Sequence, residues 1–234
     1  MMWTRVQKSG AALVSFAALG AATYGAFVAA TWLRFGRIAA AAPQEADACL
    51  DRFMPEYDVI ERHHIRVSAP FAVTFDALMD MDLEDSALIQ AIFKAREVLL
   101  GAEPNARTHQ RSLVAVTKEL GWGVLAEIPG REIVMGAVTQ PWHANVVFRA
   151  LPPGEFAAFD EPGYVKIAWT LRADRLSDNE STARTETRVI ATDADARRKF
   201  RWYWARFSPG IILIRAVSLR LVKEDAERRA RPVA

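Results

Sequence analysis

A chain of 234 residues and 26.1 kDa is long enough for one well-cored domain with an appendage. Hydrophobic residues at 51% and charged residues at 25% exclude a disordered chain, and a net charge of +2 gives no footprint for nucleic acid. The single cysteine, Cys49, excludes an internal disulfide.

Residues 10–33 carry no charge and are rich in Ala, Gly, Leu, Val and Phe. A helix of that length can span a bilayer, which takes about 20 residues. Arg5 and Lys8 before it, Arg34 and Arg37 after it, and Trp3 and Trp32 near its ends fit an N-terminal membrane anchor over residues 1–38. A cleaved signal peptide is the competing reading, since Ala39 to Ala42 offers small-residue cleavage sites. Against it, the apolar run is long and two arginines stand before the site. The anchor implies a single-pass protein, with the bacterial inner membrane as its expected place. The basic flanks nearly tie, which leaves the side of the soluble part undecided.

Residues 39–57 read as a linker by composition, with alanines, Pro43, Pro55 and no sustained period. A domain is expected over 58–229, followed by a tail at 230–234. From Asp58 to Val67 the residues alternate, placing Val59, Glu61, His63, Ile65 and Val67 on one face of a strand. Pro70 suits a helix start, and Phe71, Phe75, Leu78 and Met79 make a short apolar stripe. A second helix is predicted from Ser86 to Gly101 with Leu88, Ile89, Ile92, Phe93, Leu99 and Leu100. A loop over 101–111 leads to a short helix from Ser112 to Leu120.

Strands dominate from Trp122 to Thr192. Trp122 to Ile128 and Glu132 to Thr139 flank Pro129 and Gly130, a pair suited to a type II turn. Further strands are predicted at Trp142–Ala150, Tyr164–Ala173 and Ser181–Ala191, with a helical turn near Phe156 in the irregular stretch between the first two. Short polar turns between consecutive strands argue for an antiparallel meander. From Ala194 one long helix is predicted, capped by Thr192 or Asp193. Its stripe is Phe200, Tyr203, Trp204, Phe207, Ile211, Ile214, Ser218, Leu221 and Val222. Pro209 is expected to kink it near Ser208 to Gly210.

This order of elements, with HHIRVSAPFAVTFDALMDMD at 63–82, PGREIVMG at 129–136, FDEPGYVKIAWTL at 159–171 and TETRVIATDADARRKFRWYW at 185–204, resembles the START-like, or SRPBCC, superfamily. That superfamily includes the birch pollen allergen, polyketide cyclases and coenzyme Q-binding proteins. The resemblance covers roughly residues 50 to 226. It implies an α+β helix-grip fold, an antiparallel curved sheet wrapped around a long C-terminal helix, with a hydrophobic cavity between the two. It does not imply a reaction.

Two charged pairs interrupt the alternating strands. Glu61 and His63 stand on an otherwise apolar strand face. Inside a cavity they would form an acid-base pair or hold a polar ligand head, and at a solvated strand end they would merely pair. For Glu186 and Arg188 the turn before them decides. A two-residue turn at Asp178 and Asn179 sets them opposite Leu171 and Trp169 on the apolar face. A three-residue turn puts Thr185, Thr187 and Val189 there instead. The second register makes the better apolar side, and leaves Glu186 and Arg188 as a surface pair beside Lys166 and Arg172.

Trp122, Trp142, Trp169, Tyr203 and Trp204 are candidates to line the ligand cavity, with core packing as the alternative for each. Arg197, Arg198, Lys199, Arg201 and Arg206 read as a solvated face that could also touch anionic lipid headgroups. There is no glycine-rich phosphate loop, no HExxH and no nucleophile elbow. His63 and His64 face opposite ways on a strand, which disfavours a shared metal, and no cofactor is expected.

Three functions fit. The first is a membrane-anchored domain that binds or carries a hydrophobic small molecule such as a lipid, isoprenoid or quinone. The second is a cyclase or aromatase-like enzyme using Glu61 and His63. The third is a non-catalytic envelope interaction module. Oligomeric state is left open.

Overall fold

The computed structural model describes residues 3–38, 42, 45–82, 86, 89–92, 94, 98, 101 and 112–231, with side chains from residue 19 onward. The expected loop at 101–111, and Leu88, Phe93, Leu99 and Leu100 of the second predicted helix, therefore lie outside the described residues, apart from Gly101. Helix α1 spans Trp3–Arg34 and α2 is the four-residue Ala48–Asp51. Then follow β1 (Val59–Val67), α3 (Phe71–Asp80), α4 (Leu113–Glu119), β2 (Gly123–Ile128) and β3 (Glu132–Thr139). The chain ends with β4 (Phe148–Arg149), α5 (Pro153–Ala158), β5 (Val165–Arg175), β6 (Ser181–Ala191) and α6 (Ala194–Arg229).

All the strands pair antiparallel, in the order β1-β6-β5-β3-β2, with β4 beside β3. Helix α6 packs on β1, β6 and β5 at the concave face and on α3 beside it. This is the helix-grip arrangement expected from the order of elements in the sequence. The turn predicted at Pro129 and Gly130 is present: Arg131 N donates to Ile128 O at 3.0 Å, and Gly130 takes φ 71°, which favours glycine.

The strand predicted over Trp142–Ala150 shrinks to two residues for a topological reason. Strand β2 already occupies one edge of β3 at residues 132–136, so only Val138 and Thr139 remain to pair with β4. The preceding residues turn instead, with His143 N donating to Gln140 O at 3.2 Å.

Both faces of β3 are buried along its whole length. On the concave side, Val67, Phe75, Leu78, Ile133, Met135, Trp169, Leu171, Leu219 and Val222 form one apolar cluster, and Val59, Val165, Val189, Phe200 and Trp204 form a second. On the convex side, Leu50, Phe53 and Met54 pack on Leu125, Val134, Val138, Phe156 and Ala168. Residues 47–57, placed by composition in a linker, thus complete a core of their own. Gly136 lets the layers meet there: a Cβ would lie 2.5 Å from Leu125 Cδ1 and 3.1 Å from Phe156 Cε2.

The β5–β6 register is the three-residue-turn one, with Thr187 opposite Trp169 and Arg188 opposite Ala168. The expectation that Glu186 and Arg188 then form a surface pair is corrected. Glu186 is 6% and Arg188 2% exposed, because residues 47–57 cover that face. Arg188 donates to Glu186 Oε1 at 2.6 Å, to Asp51 Oδ1 at 2.6 Å and to Met54 O at 2.7 Å, and lies over the Tyr57 ring. Arg62 completes the group by donating to Glu186 Oε2 at 2.9 Å.

Helix α6 is capped by Asp193, whose side chain accepts from Asp195 N and Ala196 N. It passes through Pro209 without a break. Beside that proline a Cβ on Gly210 would lie 2.9 Å from Ile92 Cγ2, so glycine permits the close approach.

No helix of the described residues is long and apolar enough to cross a membrane. The side chains of residues 10–18, part of the expected span, lie outside the described set. The C-terminal part of α1 meets α6 at Tyr24 and Trp32. Tyr24 Oη donates to Arg206 O at 2.8 Å, Arg201 donates twice to Trp32 O, and the Trp32 and Trp202 rings sit 4.2 Å apart. Arg201 therefore leaves the solvated face expected for it.

Candidate functional site

Strand periodicity puts Glu61 and His63 on the same face of β1, and pairing with β6 sets them beside Thr187 and Thr185. Trp169 stands on the far side of Thr187. The concave face thus carries a row of Glu61, Thr187 and Trp169, with His63 and Thr185 in the adjoining row. Glu61 and His63 are neither fully buried nor solvated, with side chains 23% and 18% exposed. Their nearest polar atoms, Glu61 Oε2 and His63 Nε2, are 3.5 Å apart, and Nε2 is buried with no hydrogen-bond partner.

Arg215 closes this group from above. It sits on α6 with Nη1 donating to Thr185 Oγ1 at 2.6 Å and Nη2 to Thr187 Oγ1 at 2.7 Å. Its Cζ lies 5.7 Å from the centre of the Trp169 ring. Desolvation pulls its pKa down to about 10, against the opposing pull of Glu61. The guanidinium stays charged at neutral pH, held by two neutral hydroxyls and without an ion pair among the described residues.

The predicted aromatics divide between the two concave clusters. Trp169 is buried in the first cluster, and Trp122 packs against it with ring centres 6.2 Å apart. Trp142, Tyr203 and Trp204 belong to the second cluster, at the N-terminal half of α6, where Trp204 stacks on Phe200 at 5.9 Å. Glu61, His63 and Arg215 occupy the polar break between the two apolar groups. Sequence reasoning missed Arg215, although a signal existed: Trp204, Ser208, Ile211, Arg215, Ser218, Val222 and Ala226 follow helical spacing along the sheet-facing side. An arginine in that row was the anomaly.

Elsewhere, a groove of about 300 Å³ opens between α3 and α6, lined by Ala77, Asp80, Met81, Leu221, Val222 and Arg229 among others. Arg229 bridges its rim, 2.8 Å from Asp80 and 2.6 Å from Asp225. A polar pocket of about 20 Å³ lies by Glu45, Asp47, Arg62, Arg172 and Glu186. Near it, burial and then the charge of Asp47 push the Glu132 carboxyl up to about 8, with Arg172 and Arg131 opposing. Among the described residues no group of His, Cys, Asp and Glu could hold a metal ion.

No family model matches the chain. A cell division protein ZapD of Cupriavidus metallidurans is 27% identical over 180 residues, 76% of this chain and 61% of that protein. The chain therefore spans about 61% of the length of the curated relative it matches. Among solved structures, an aromatase/cyclase from a Streptomyces species is 14% identical, covering 74% of this chain and 96% of its own, with a TM-score of 0.28. A START superfamily protein from Mycobacterium smegmatis is 10% identical, covering 73% and 92%, with a TM-score of 0.24. A hypothetical protein from Helicobacter pylori is 9% identical, covering 83% and 97%, with a TM-score of 0.35.

Proposed function

We propose that the protein binds a hydrophobic small molecule, of the lipid, isoprenoid or quinone kind, between its curved sheet and α6. The observation that carries this reading is the polar break at Glu61, His63 and Arg215, flanked on the concave face by two aromatic-rich apolar clusters. Such a site suits a molecule with an apolar body and one polar end. Trp122 and Trp169 would take the body on one side, and Trp142, Tyr203 and Trp204 on the other. Glu61 and His63 would meet the polar end.

Attachment to a membrane through residues 10–33 belongs to the same proposal. Its support is the charge-free sequence of that stretch. The cationic side of α6 adds to it, with Arg206 lying over the ring of Trp202, which is 47% exposed. Native mass spectrometry of the full chain, with organic extraction of what it carries, tests the binding reading. A stoichiometric apolar passenger is expected. A protein that emerges empty, and takes up no lipid, isoprenoid or quinone on incubation, overturns it.

A cyclase or aromatase-like reaction is the second reading, favoured by the 3.5 Å approach of Glu61 and His63 on the concave face. Its test is chemical identity. A bound molecule recovered unchanged after long incubation speaks against catalysis, and loss of conversion in Glu61→Gln would support it.

A further inference from the structure

A buried guanidinium normally meets a carboxylate, since an uncompensated charge inside a protein is costly. Arg215, a half-buried residue whose guanidinium is turned onto the sheet, departs from that rule. A guanidinium carries five N–H donors. The hydrogen bonds of Arg215 go to Thr185 and Thr187, one from each terminal nitrogen, and both acceptors are neutral. No acceptor for its remaining donors is found among the described residues.

The neighbourhood is not set up to neutralise Arg215 internally. Glu61 acts on it only at a distance, without closing to an ion pair, and its Oε2 is instead 3.5 Å from His63 Nε2. His63 Nε2 is itself buried and unpartnered. A second potential donor therefore lies by the same threonine, since His63 is the cross-strand partner of Thr185. The threonine hydroxyls hold the guanidinium plane in place, and Trp169 supports it from the side. That is a preorganised cation in a low-dielectric setting, where an incoming anion gains most.

We propose that Arg215 binds the anionic head of the ligand, a carboxylate or a phosphate, so that the passenger is an acidic amphiphile rather than a neutral one. This inference rests on the reading that a hydrophobic molecule occupies the space between sheet and α6. The guanidinium fork takes two oxygens of one head group side by side, with the unpartnered His63 Nε2 beside them.

The test compares hexadecanoate, hexadecyl phosphate and hexadecanol by calorimetry on the full-length protein. At least one of the two anions should bind about tenfold or more tightly than the alcohol, and which of them does so identifies the head group. Equal affinity for all three overturns the anion inference while leaving the binding reading intact. No binding of any of the three overturns the anion inference, while the binding reading is decided separately by the passenger recovered in mass spectrometry. In Arg215→Gln the ratio between anion and alcohol should collapse towards one. Arg215→Lys should retain part of it, as a point charge without the fork. A ratio unchanged in Arg215→Gln overturns the assignment to this residue. The comparison within the wild type stands even if a variant fails to fold.

Discussion

Arg188, on a central strand, donates to Asp51 on α2 at 2.6 Å across 137 positions of sequence, and is itself 2% exposed. That contact binds the segment before β1 to the convex face. Asp51 keeps a side chain 51% exposed, so the two ends of the bond are unequal. Arg188→Met should cost about 3–5 kcal/mol in urea unfolding, because Glu186 is left buried with Arg62 as its only charged partner among the described residues. Asp51→Asn should cost about 1 kcal/mol or less. Similar losses from the two substitutions would mean that the network is solvated.

Gly136→Ala should destabilise by about 1–3 kcal/mol, since the added methyl would overlap the Leu125 side chain. Gly136 has Ala168 as its cross-strand partner in β5, so there is no open side to yield into. A thermal melt at neutral pH reads the loss directly. The double variant Gly136→Ala with Leu125→Ala should recover part of what the single change loses, if overlap is the cause.

The carboxyl of Glu132, 3% exposed and with Oε1 unpartnered, makes stability depend on pH in an unusual direction. Its folded pKa of about 8 lies above the ordinary 4.5, so between those values the folded state holds more protons than the unfolded state. Stability contributed by this group is therefore complete below about pH 4.5 and falls as pH rises towards 8. Glu132→Gln should flatten that slope and be more stable than the wild type at pH 8. A wild-type slope of opposite sign over this window, with no change in Glu132→Gln, would reject the assignment.

Asp193 holds the start of α6 by accepting from Asp195 N at 2.7 Å and Ala196 N at 2.9 Å, and it also accepts from Gly163 N in the loop before β5. These bonds draw its carboxyl below the usual range, first through Ala196 and then through Gly163. Asp193→Ala should lower the urea midpoint without changing the slope of the transition. Asp193→Ser should restore part of the loss, as a capping side chain that lacks the charge.

Local pattern carried much of the fold. The alternation of β1, β5 and β6 and the Pro129–Gly130 turn are properties of short windows and are present as read, whereas the stripe of α6 shares Phe200, Trp204, Ile211, Ser218 and Val222 with the reading and adds Ser208 and Arg215. The β5–β6 register also followed from pattern, because Thr185, Thr187 and Val189 made the better apolar side. What covers the other side was not a local property. Leu50, Phe53 and Met54 are too few to display a period, so nothing in residues 47–57 announced that they would bury Glu186 and Arg188. The candidate site was half legible for the same reason. Glu61 and His63 break an alternation and stand out, whereas Arg215 acquires its meaning only when α6 is laid over Thr185 and Thr187.

Helix α6 is made after every element it touches: α1, α3, β1, β5 and β6. During synthesis the concave face, with Trp169 and the two threonines, therefore waits uncovered, and the described part of α1 has nothing yet to lie against. The concave face can be covered only once α6, the last of these elements in chain order, has been made. A ribosome stalled short of Asp193 would display a sheet with an open apolar hollow, which is the surface that chaperones recognise. A passenger of the proposed kind, if present at that moment, would meet the hollow before its lid arrives.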